Sequence, residues 1–224
     1  MFDNLVNAAN GALATYGRAD APSRRTDLTS LEVSAALQEV LIIGCENVVR
    51  RLQASGYSDS AVRIELPKKW NKARKIAARI GYSREFDELE RKLAEAAVKV
   101  APATRELLSE LIAELQLENP RAVLYGGEFA ATAQLQSQVG KQLASRLHPL
   151  VNASLESVGV LSASDKIARR VKHLPVVKLL ETDFADHVVE ESIDGFFHYL
   201  AQEERDIRMQ PARHSSDLLR RVFG

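Results

Sequence analysis

Residues 183–208 read DFADHVVEESIDGFFHYLAQEERDIR, and this stretch decides the fold class of the chain. Asp183 is expected to act as the N-cap of a helix, because its side chain can accept a hydrogen bond from a first-turn amide. Apolar side chains then recur at steps of three and four residues, which is the period of one helix face. The side that they define carries Val189, Ile193, Phe196, Phe197, Leu200, Glu204 and Ile207. The stretch is therefore predicted to be a long amphipathic helix that packs on a core.

The same stepping of apolar residues recurs through most of the chain and predicts an all-α domain of about seven helices. Thr29 and Glu32 fit a capping box at the start of the first of them. Pro102 and Pro149 fall inside helical patterns, so several helices are predicted to be kinked. The predicted helices cover residues 30–54, 67–80, 83–115 with an interruption at the proline, a short turn from 120, 128–158, 164–173, 183–207 and 215–223. Alternating residues at 62–66 predict at most one short extended segment.

Composition limits the class of protein. The chain has 224 residues, with 30 Lys and Arg against 30 Asp and Glu, and 46% of its residues are hydrophobic. This supports a packed core and removes any overall attraction to nucleic acid, which is therefore an unfavoured partner. The single cysteine, Cys45, lies beside an apolar stripe and is predicted to be a core residue. No apolar run is long enough for a transmembrane span.

The chain is predicted to have two parts. Residues 1–29 combine a short helical pattern with a linker rich in Gly, Pro, Ser and charge, and residues 30–224 are expected to form a single all-helical domain. Polar residues interrupt the apolar pattern of the first sixteen residues, so no secretory signal is recognised. A cytoplasmic location is therefore expected.

Several motifs near the C-terminus resemble one known family. They are residues 193–197 (IDGFF), Ala201 with Glu203-Glu204 and Ile207-Arg208, Pro211, and Asp217-Leu218-Leu219 with Val222-Phe223-Gly224. Weaker matches upstream include Gly126-Gly127 followed by residues 130–132 (AAT). In order and spacing these resemble the bacterial domain-of-unknown-function family 4197, over about residues 30–224.

The resemblance implies an all-helical fold, no assigned activity and no catalytic residue to carry over. Many members of that family look exported, which implies a periplasmic or envelope location as the alternative to the cytoplasm. The chain departs from the family pattern at Glu90-Arg91, where Met-Asn is usual, and at His214, where Arg is usual. These departures suggest a divergent branch with a role of its own.

Glu203, Glu204 and Arg208 form the first candidate cluster. Glu204 and Arg208 are four residues apart, which suits an ion pair on one helix face. Because Glu204 faces the predicted core side, a buried carboxylate there needs a cationic partner. The cluster is interpreted as a ligand site or as a structural salt bridge that fixes the C-terminal turn.

The polar face of the same helix is the second candidate, because imidazole and carboxylate groups can bind a transition metal. The residues considered are His187, Glu191, Asp194 and His198. The two histidines are eleven residues apart, about 16 Å along a helix, so one ion cannot bind both. The alternative interpretation is an ordinary solvated face.

A third candidate is a basic stripe on the predicted helix after Pro67. Lys68, Lys72, Lys75 and Arg79 fall on one side of it, where they can contact phosphates or anionic lipids. Because the chain has no net charge, an ordinary solvated face is the favoured interpretation of this stripe.

Strong amphipathic periodicity without a complete catalytic motif favours a non-enzymatic binding or scaffold protein. The partners considered are a hydrophobic small molecule held between helices or another protein, and no cofactor is expected. Two alternatives stay open: a metal-dependent protein or enzyme that uses the C-terminal Glu, Arg and His residues, and a protein that binds an anionic surface through the basic stripe. Whether the chain is an enzyme is left undecided, with a non-enzyme favoured.

Overall fold

The structure is a computed structural model. It describes residues 28–79, 81–172, 180, 183–210 and 216–224. Of the predicted N-terminal part, 1–29, all but the last two residues lie outside the described residues. The predicted helix ends at Ile80, His173 and Ser215 lie outside them as well.

The described residues confirm the all-α class, since they form eight helices and contain no strand. The helices are α1 Ser30–Ser55, α2 Lys68–Ala78, α3 Ser83–Ala113, α4 Pro120–Leu124, α5 Ala130–Val158, α6 Val160–Val171, α7 Phe184–Met209 and α8 Asp217–Phe223. Pro102 and Pro149 lie inside α3 and α5, so neither proline splits its helix. The kink predicted at each proline stays a prediction. None of the described helices has the length and apolarity that crossing a membrane requires.

The helix starts follow from side chains that satisfy first-turn amides. At α1 the amide of Thr29 donates to Glu32 Oε2 over 2.9 Å, and the amide of Glu32 donates to Thr29 Oγ1 over 3.2 Å. This is the reciprocal capping box predicted from the sequence. Asn119 caps α4 by accepting from the amide of Ala122 over 3.0 Å, and Asp183 caps α7 by accepting from Ala185 over 2.8 Å.

One local prediction, the start of a helix, differs from the structure. The helix predicted to start at 164 starts at Val160. Gly159 adopts a left-handed φ of 76° and separates this helix from α5, which ends at Val158. Left-handed backbone costs glycine little, so a single residue is enough to separate the two helices. The segment 62–66 pairs with no strand in the described part of the chain, although its residues alternate between buried and exposed as predicted.

The described residues fall into two compact units. The first takes those within 1–50, 105–143 and 196–224, and the second takes those within 51–104 and 144–195. Each of α1, α3, α5 and α7 contributes one part of its length to each unit. The single domain expected over 30–224 stays a prediction.

The core of the first unit contains residues from all three of its segments. Phe196 and Leu200 are fully buried, as the apolar stripe of α7 predicts. Cys45 is buried too, and desolvation raises the pKa of its thiol to about 12, so it behaves as a small apolar side chain. Other buried residues of this unit are Leu37, Leu41, Val48, Leu108, Ile112, Leu135, Leu143, Ile207 and Val222.

The second unit is built around Trp70. Its ring centroid lies 6.1 Å from that of Phe86 and 5.1 Å from that of Phe184. The aromatic rings bring α2, α3 and α7 together within this unit. Other buried residues of this unit are Leu52, Ile64, Leu89, Leu93, Leu147, Val151, Leu155, Ile167 and Val188.

Gly195 in α7 permits a close approach in the second unit. A Cβ atom at this position would lie 2.7 Å from Tyr57 Cε1 and 3.2 Å from Val62 Cβ. The Tyr57 ring crosses α7 at this point, and its hydroxyl donates to the carbonyl of Ser192 over 3.3 Å. Glycine is therefore required here by packing.

Candidate functional site

Glu204 caps the N-terminus of α5 from within the first unit. Its side chain is fully buried, and it accepts from the amide of Ala131 over 3.0 Å and from the amide of Thr132 over 2.7 Å. First-turn amides have no partner inside their own helix, and the helix dipole favours a negative charge beside them. The anion at the start of this helix is therefore the protein's own carboxylate.

Arg208 satisfies the opposite kind of helix end. Its guanidinium donates to the carbonyl of Leu124 over 3.0 Å and to that of Val123 over 3.3 Å, at the C-terminal end of α4. It also lies 2.6 Å from Glu204 Oε1, and its side chain is 10% exposed. The guanidinium carbon is 5.4 Å from the ring centroid of Phe223 in α8. One cation therefore binds a helix end, a carboxylate and an aromatic ring.

Together Glu204 and Arg208 form a clamp across the turn that joins α4 to α5. The carboxylate holds the start of α5 and the guanidinium holds the end of α4, while the two groups pair with each other. Buried charges are tolerated when they are paired and hydrogen bonded in this way. The arrangement favours the structural interpretation of the cluster over the ligand interpretation.

Glu203 points elsewhere in the first unit. Its Oε2 accepts from the side-chain Nδ2 of Asn47 over 2.7 Å, so it contacts α1 instead of the clamp. The three residues of the predicted cluster are therefore divided between two structural contacts. The clamp leaves two buried polar atoms, Thr132 Oγ1 and Arg208 Nε, without a hydrogen-bond partner among the described residues.

The metal candidates occupy separate local environments. In the second unit, His187 Nε2 is 2.7 Å from the carbonyl oxygen of Glu65. In the first unit, His198 Nε2 is 2.8 Å from the side-chain nitrogen of Gln202. Over the described ranges, His, Cys, Asp and Glu side chains form no group of three or more that could hold a metal ion. The metal interpretation stays a prediction.

Asp194 and Glu191 carry the perturbed carboxyl groups of this face. Burial, together with the neighbouring charges of Glu190 and Glu191, raises the pKa of Asp194 from 3.8 to about 6. Burial also raises the pKa of Glu191. Both groups thus hold a proton more readily in the folded protein than in the unfolded chain.

Replacing Asp194 with asparagine is expected to increase stability at pH 7. The folded protein keeps the Asp194 proton up to pH about 6, whereas the unfolded chain loses it near 3.8, so wild-type stability falls as the pH rises through this window. The gain in the variant should shrink on acidification through the same window. Urea unfolding at both ends of the window measures the difference in stability between the variant and wild type. Asp165→Asn, at an exposed position in α6, is the control. A variant no more stable than wild type at pH 7 would contradict the expectation.

The basic stripe lies on the outer side of α2. Lys68, Lys72, Lys75 and Arg79 are all exposed, as the helical pattern predicts, and Lys69 is exposed beside them. The buried side of the helix carries Trp70, Ala73 and Ala77. These five cations are called the basic face below.

A second buried carboxylate, Glu90, was missed as a site by sequence reasoning, which noted it only as a departure from the family pattern. Its oxygens accept from Arg63 over 2.8 Å, from Arg74 over 3.1 Å and from the amide of Leu66 over 3.4 Å. The only sequence signal is an acidic residue on the apolar side of α3. Its partners are 16 to 27 residues away, and no local spacing rule connects them.

Three surface depressions in the second unit bear on the predicted hydrophobic ligand. Their volumes are about 200, 290 and 250 Å3. The second has apolar walls from Leu155, Val160 and Phe184, but Glu156 and Asp183 also line it. Ligand pockets are usually larger, about 300–1,000 Å3, and mostly apolar. The hydrophobic ligand stays a prediction.

The comparisons with known proteins extend the sequence resemblance. A family model described as "Protein of unknown function (DUF4197)" matches residues 27–224. No curated protein and no solved structure gives a significant match.

Proposed function

Since this chain belongs to the DUF4197 family, whose description assigns no function, we propose its role from its own surface: a non-enzymatic protein that binds an anionic partner through the basic face of α2. One observation carries the proposal. All five cations of this face are exposed, and none has a carboxylate within 4.0 Å among the described residues. Such a concentration of unneutralised charge attracts anions.

Neighbouring arginines show how the second unit neutralises its other cations. Arg74 on the same helix lies 3.1 Å from Glu90 and 3.5 Å from Asp87, and Arg63 lies 2.8 Å from Glu90. Glu90 and Asp87 are thus paired with arginines outside the basic face. The five cations keep their charge available for a partner.

The position of Lys68 and Lys69 adds a second argument. They occupy the first turn of α2, which contains no acidic residue, and Pro67 supplies no side-chain cap. Cations at a helix N-terminus oppose the helix dipole and reduce stability. Lys68 and Lys69 therefore do not stabilise the start of the helix. Binding of an anionic partner would explain why they are there.

The hydrogen bonding of the C-terminal motif supports the non-enzymatic part of the proposal. Glu204 and Arg208 belong to the first candidate cluster and to the enzyme alternative of the sequence analysis. Both oxygens of Glu204 accept backbone amides, and Arg208 donates to backbone carbonyls. These hydrogen bonds give Glu204 and Arg208 a structural role.

Retention on immobilised heparin tests the proposal. The variant Lys69→Gln, Lys72→Gln, Lys75→Gln is compared with Lys141→Gln, Lys166→Gln, Lys172→Gln, which removes the same charge from exposed lysines elsewhere. We expect the control to elute with wild type and the basic-face variant to elute at distinctly lower salt, since each lost contact reduces the salt-dependent affinity. Identical elution of the two variants would refute the basic face as the binding surface.

A further inference from the structure

We propose that the anionic partner of the basic face is the surface of a phospholipid bilayer, with Ile76 entering the interface between the headgroups. This inference rests on the proposed function and adds the class of partner. It comes from the one large apolar side chain of α2 that is exposed, Ile76. Ile76 is 44% exposed, whereas Trp70, Ala73 and Ala77 on the inner side are buried.

The placement of Ile76 makes it part of the basic face. At 100° per residue, Ile76 falls on the helix surface between Lys69 and Lys72. Lys72 precedes it by four residues and Arg79 follows it by three, so both are its neighbours on the helix surface. Helices that lie in a membrane interface combine Lys and Arg with apolar side chains that enter it, and Ile76 with its cationic neighbours offers a small example of that combination.

The chemistry of the flanking side chains suits a bilayer. Lysine has a long apolar stem and a charged tip, so it can hold its ammonium at the phosphates while the helix lies close to the acyl chains. Each cation near an anionic leaflet strengthens binding about five-fold. An isoleucine that leaves water for the interface adds a contribution that does not depend on salt.

A nucleic acid fits the same face less well. Single-stranded nucleic acid is held by aromatic stacking as well as by charge. The aromatic residue of this helix, Trp70, is buried on the opposite side. Ile76 would stay exposed to water beside a phosphate backbone.

The length of the face limits the strength of binding. Eleven helical residues span about 16 Å, enough to contact several headgroups along one line. A single short basic segment gives weak, reversible, salt-sensitive attachment to a membrane. The protein is therefore expected to bind as a peripheral protein.

Vesicle sedimentation with the full chain tests the inference. Vesicles of phosphatidylcholine alone are compared with vesicles containing about one third phosphatidylserine, an anionic lipid. We expect binding only to the anionic vesicles. The variant Lys69→Gln, Lys72→Gln, Lys75→Gln should bind them about 100-fold more weakly, and the matched Lys141→Gln, Lys166→Gln, Lys172→Gln control should bind like wild type.

The variant Ile76→Ser separates a bilayer from other polyanions. It should bind anionic vesicles about ten-fold more weakly while its elution from heparin is unchanged, because heparin offers no apolar interior. Leu161→Ser, at an exposed leucine outside the face, is the control and should change neither. Far-ultraviolet circular dichroism of each variant verifies that the helices are retained.

The outcomes distinguish the inference from the proposed function. Heparin retention that depends on the basic face, with no binding to anionic vesicles, would overturn the bilayer and leave the proposed function standing. Tighter binding to duplex DNA than to the vesicles, with no effect of Ile76→Ser on either, would also overturn the bilayer. If the basic-face variant binds both heparin and anionic vesicles as wild type does, the proposed function and the bilayer inference are both overturned.

Discussion

Replacing Glu204 with alanine is expected to lower the free energy of unfolding by about 3–5 kcal/mol, the usual result of removing one partner from a buried ion pair. The substitution leaves the Arg208 guanidinium almost buried without its carboxylate, and it leaves the amides of Ala131 and Thr132 without an acceptor. The start of α5 loses its cap, while Arg208 keeps its bonds to the end of α4 but loses its carboxylate partner. Chemical denaturation of the purified variant measures the loss.

Glu203→Ala is the matched control, because it is the same substitution one residue earlier in α7. Glu203 is partly exposed and accepts one hydrogen bond, from Asn47, so the loss should be about 0.5–1.5 kcal/mol. Glu204→Gln provides a milder second test, since it keeps the shape and one acceptor oxygen. Equal effects of the two alanine substitutions would mean that the clamp does not stabilise the first unit.

Replacing Gly195 with alanine is expected to lower the free energy of unfolding by about 2 kcal/mol, as the difference of two opposing effects. Alanine in a helix is favoured over glycine by about 1 kcal/mol. Against this, the new Cβ lies 2.7 Å from a carbon of the Tyr57 ring, and forcing extra volume into a packed core costs about 3 kcal/mol. The clash therefore decides the sign.

Gly140→Ala in α5 isolates the favourable effect. No atom outside its own helix lies within 4 Å of a Cβ at this position, so the variant should be more stable by up to about 1 kcal/mol. The two substitutions are chemically identical and should have opposite signs in urea denaturation. A stabilised Gly195→Ala variant would show that Tyr57 does not pack against α7 as closely as described.

Helices that begin with local signals were predicted closely. The capping box at Thr29, the Asp183 cap and the apolar period of α7 each involve residues within one or two turns of each other. The start of α6 was wrong, because its boundary depends on the backbone conformation of Gly159 and apolar spacing does not report that conformation. The segment 62–66 alternates as an extended chain does, but a strand needs a partner strand, which local alternation cannot specify.

In the candidate site, the contacts between residues close in sequence were predictable, and those between distant residues were not. The four-residue spacing of Glu204 and Arg208 predicted their ion pair, and the side of α7 on which Glu204 lies predicted its burial. The amides of Ala131 and Thr132 were not foreseen, since they precede Glu204 by more than seventy residues. Glu90 was missed for the same reason: its partners become neighbours only when the second unit folds.

The division of each unit into separate chain segments has a consequence for biosynthesis. Domains usually fold in order as the ribosome releases them, with the N-terminal one first. Here the first unit needs α7 and α8 as well as α1, and the second unit needs residues up to 195. The nascent polypeptide therefore carries its early helices with uncovered apolar faces until α7 and α8 have been synthesised, and a chaperone can protect those faces during this stage.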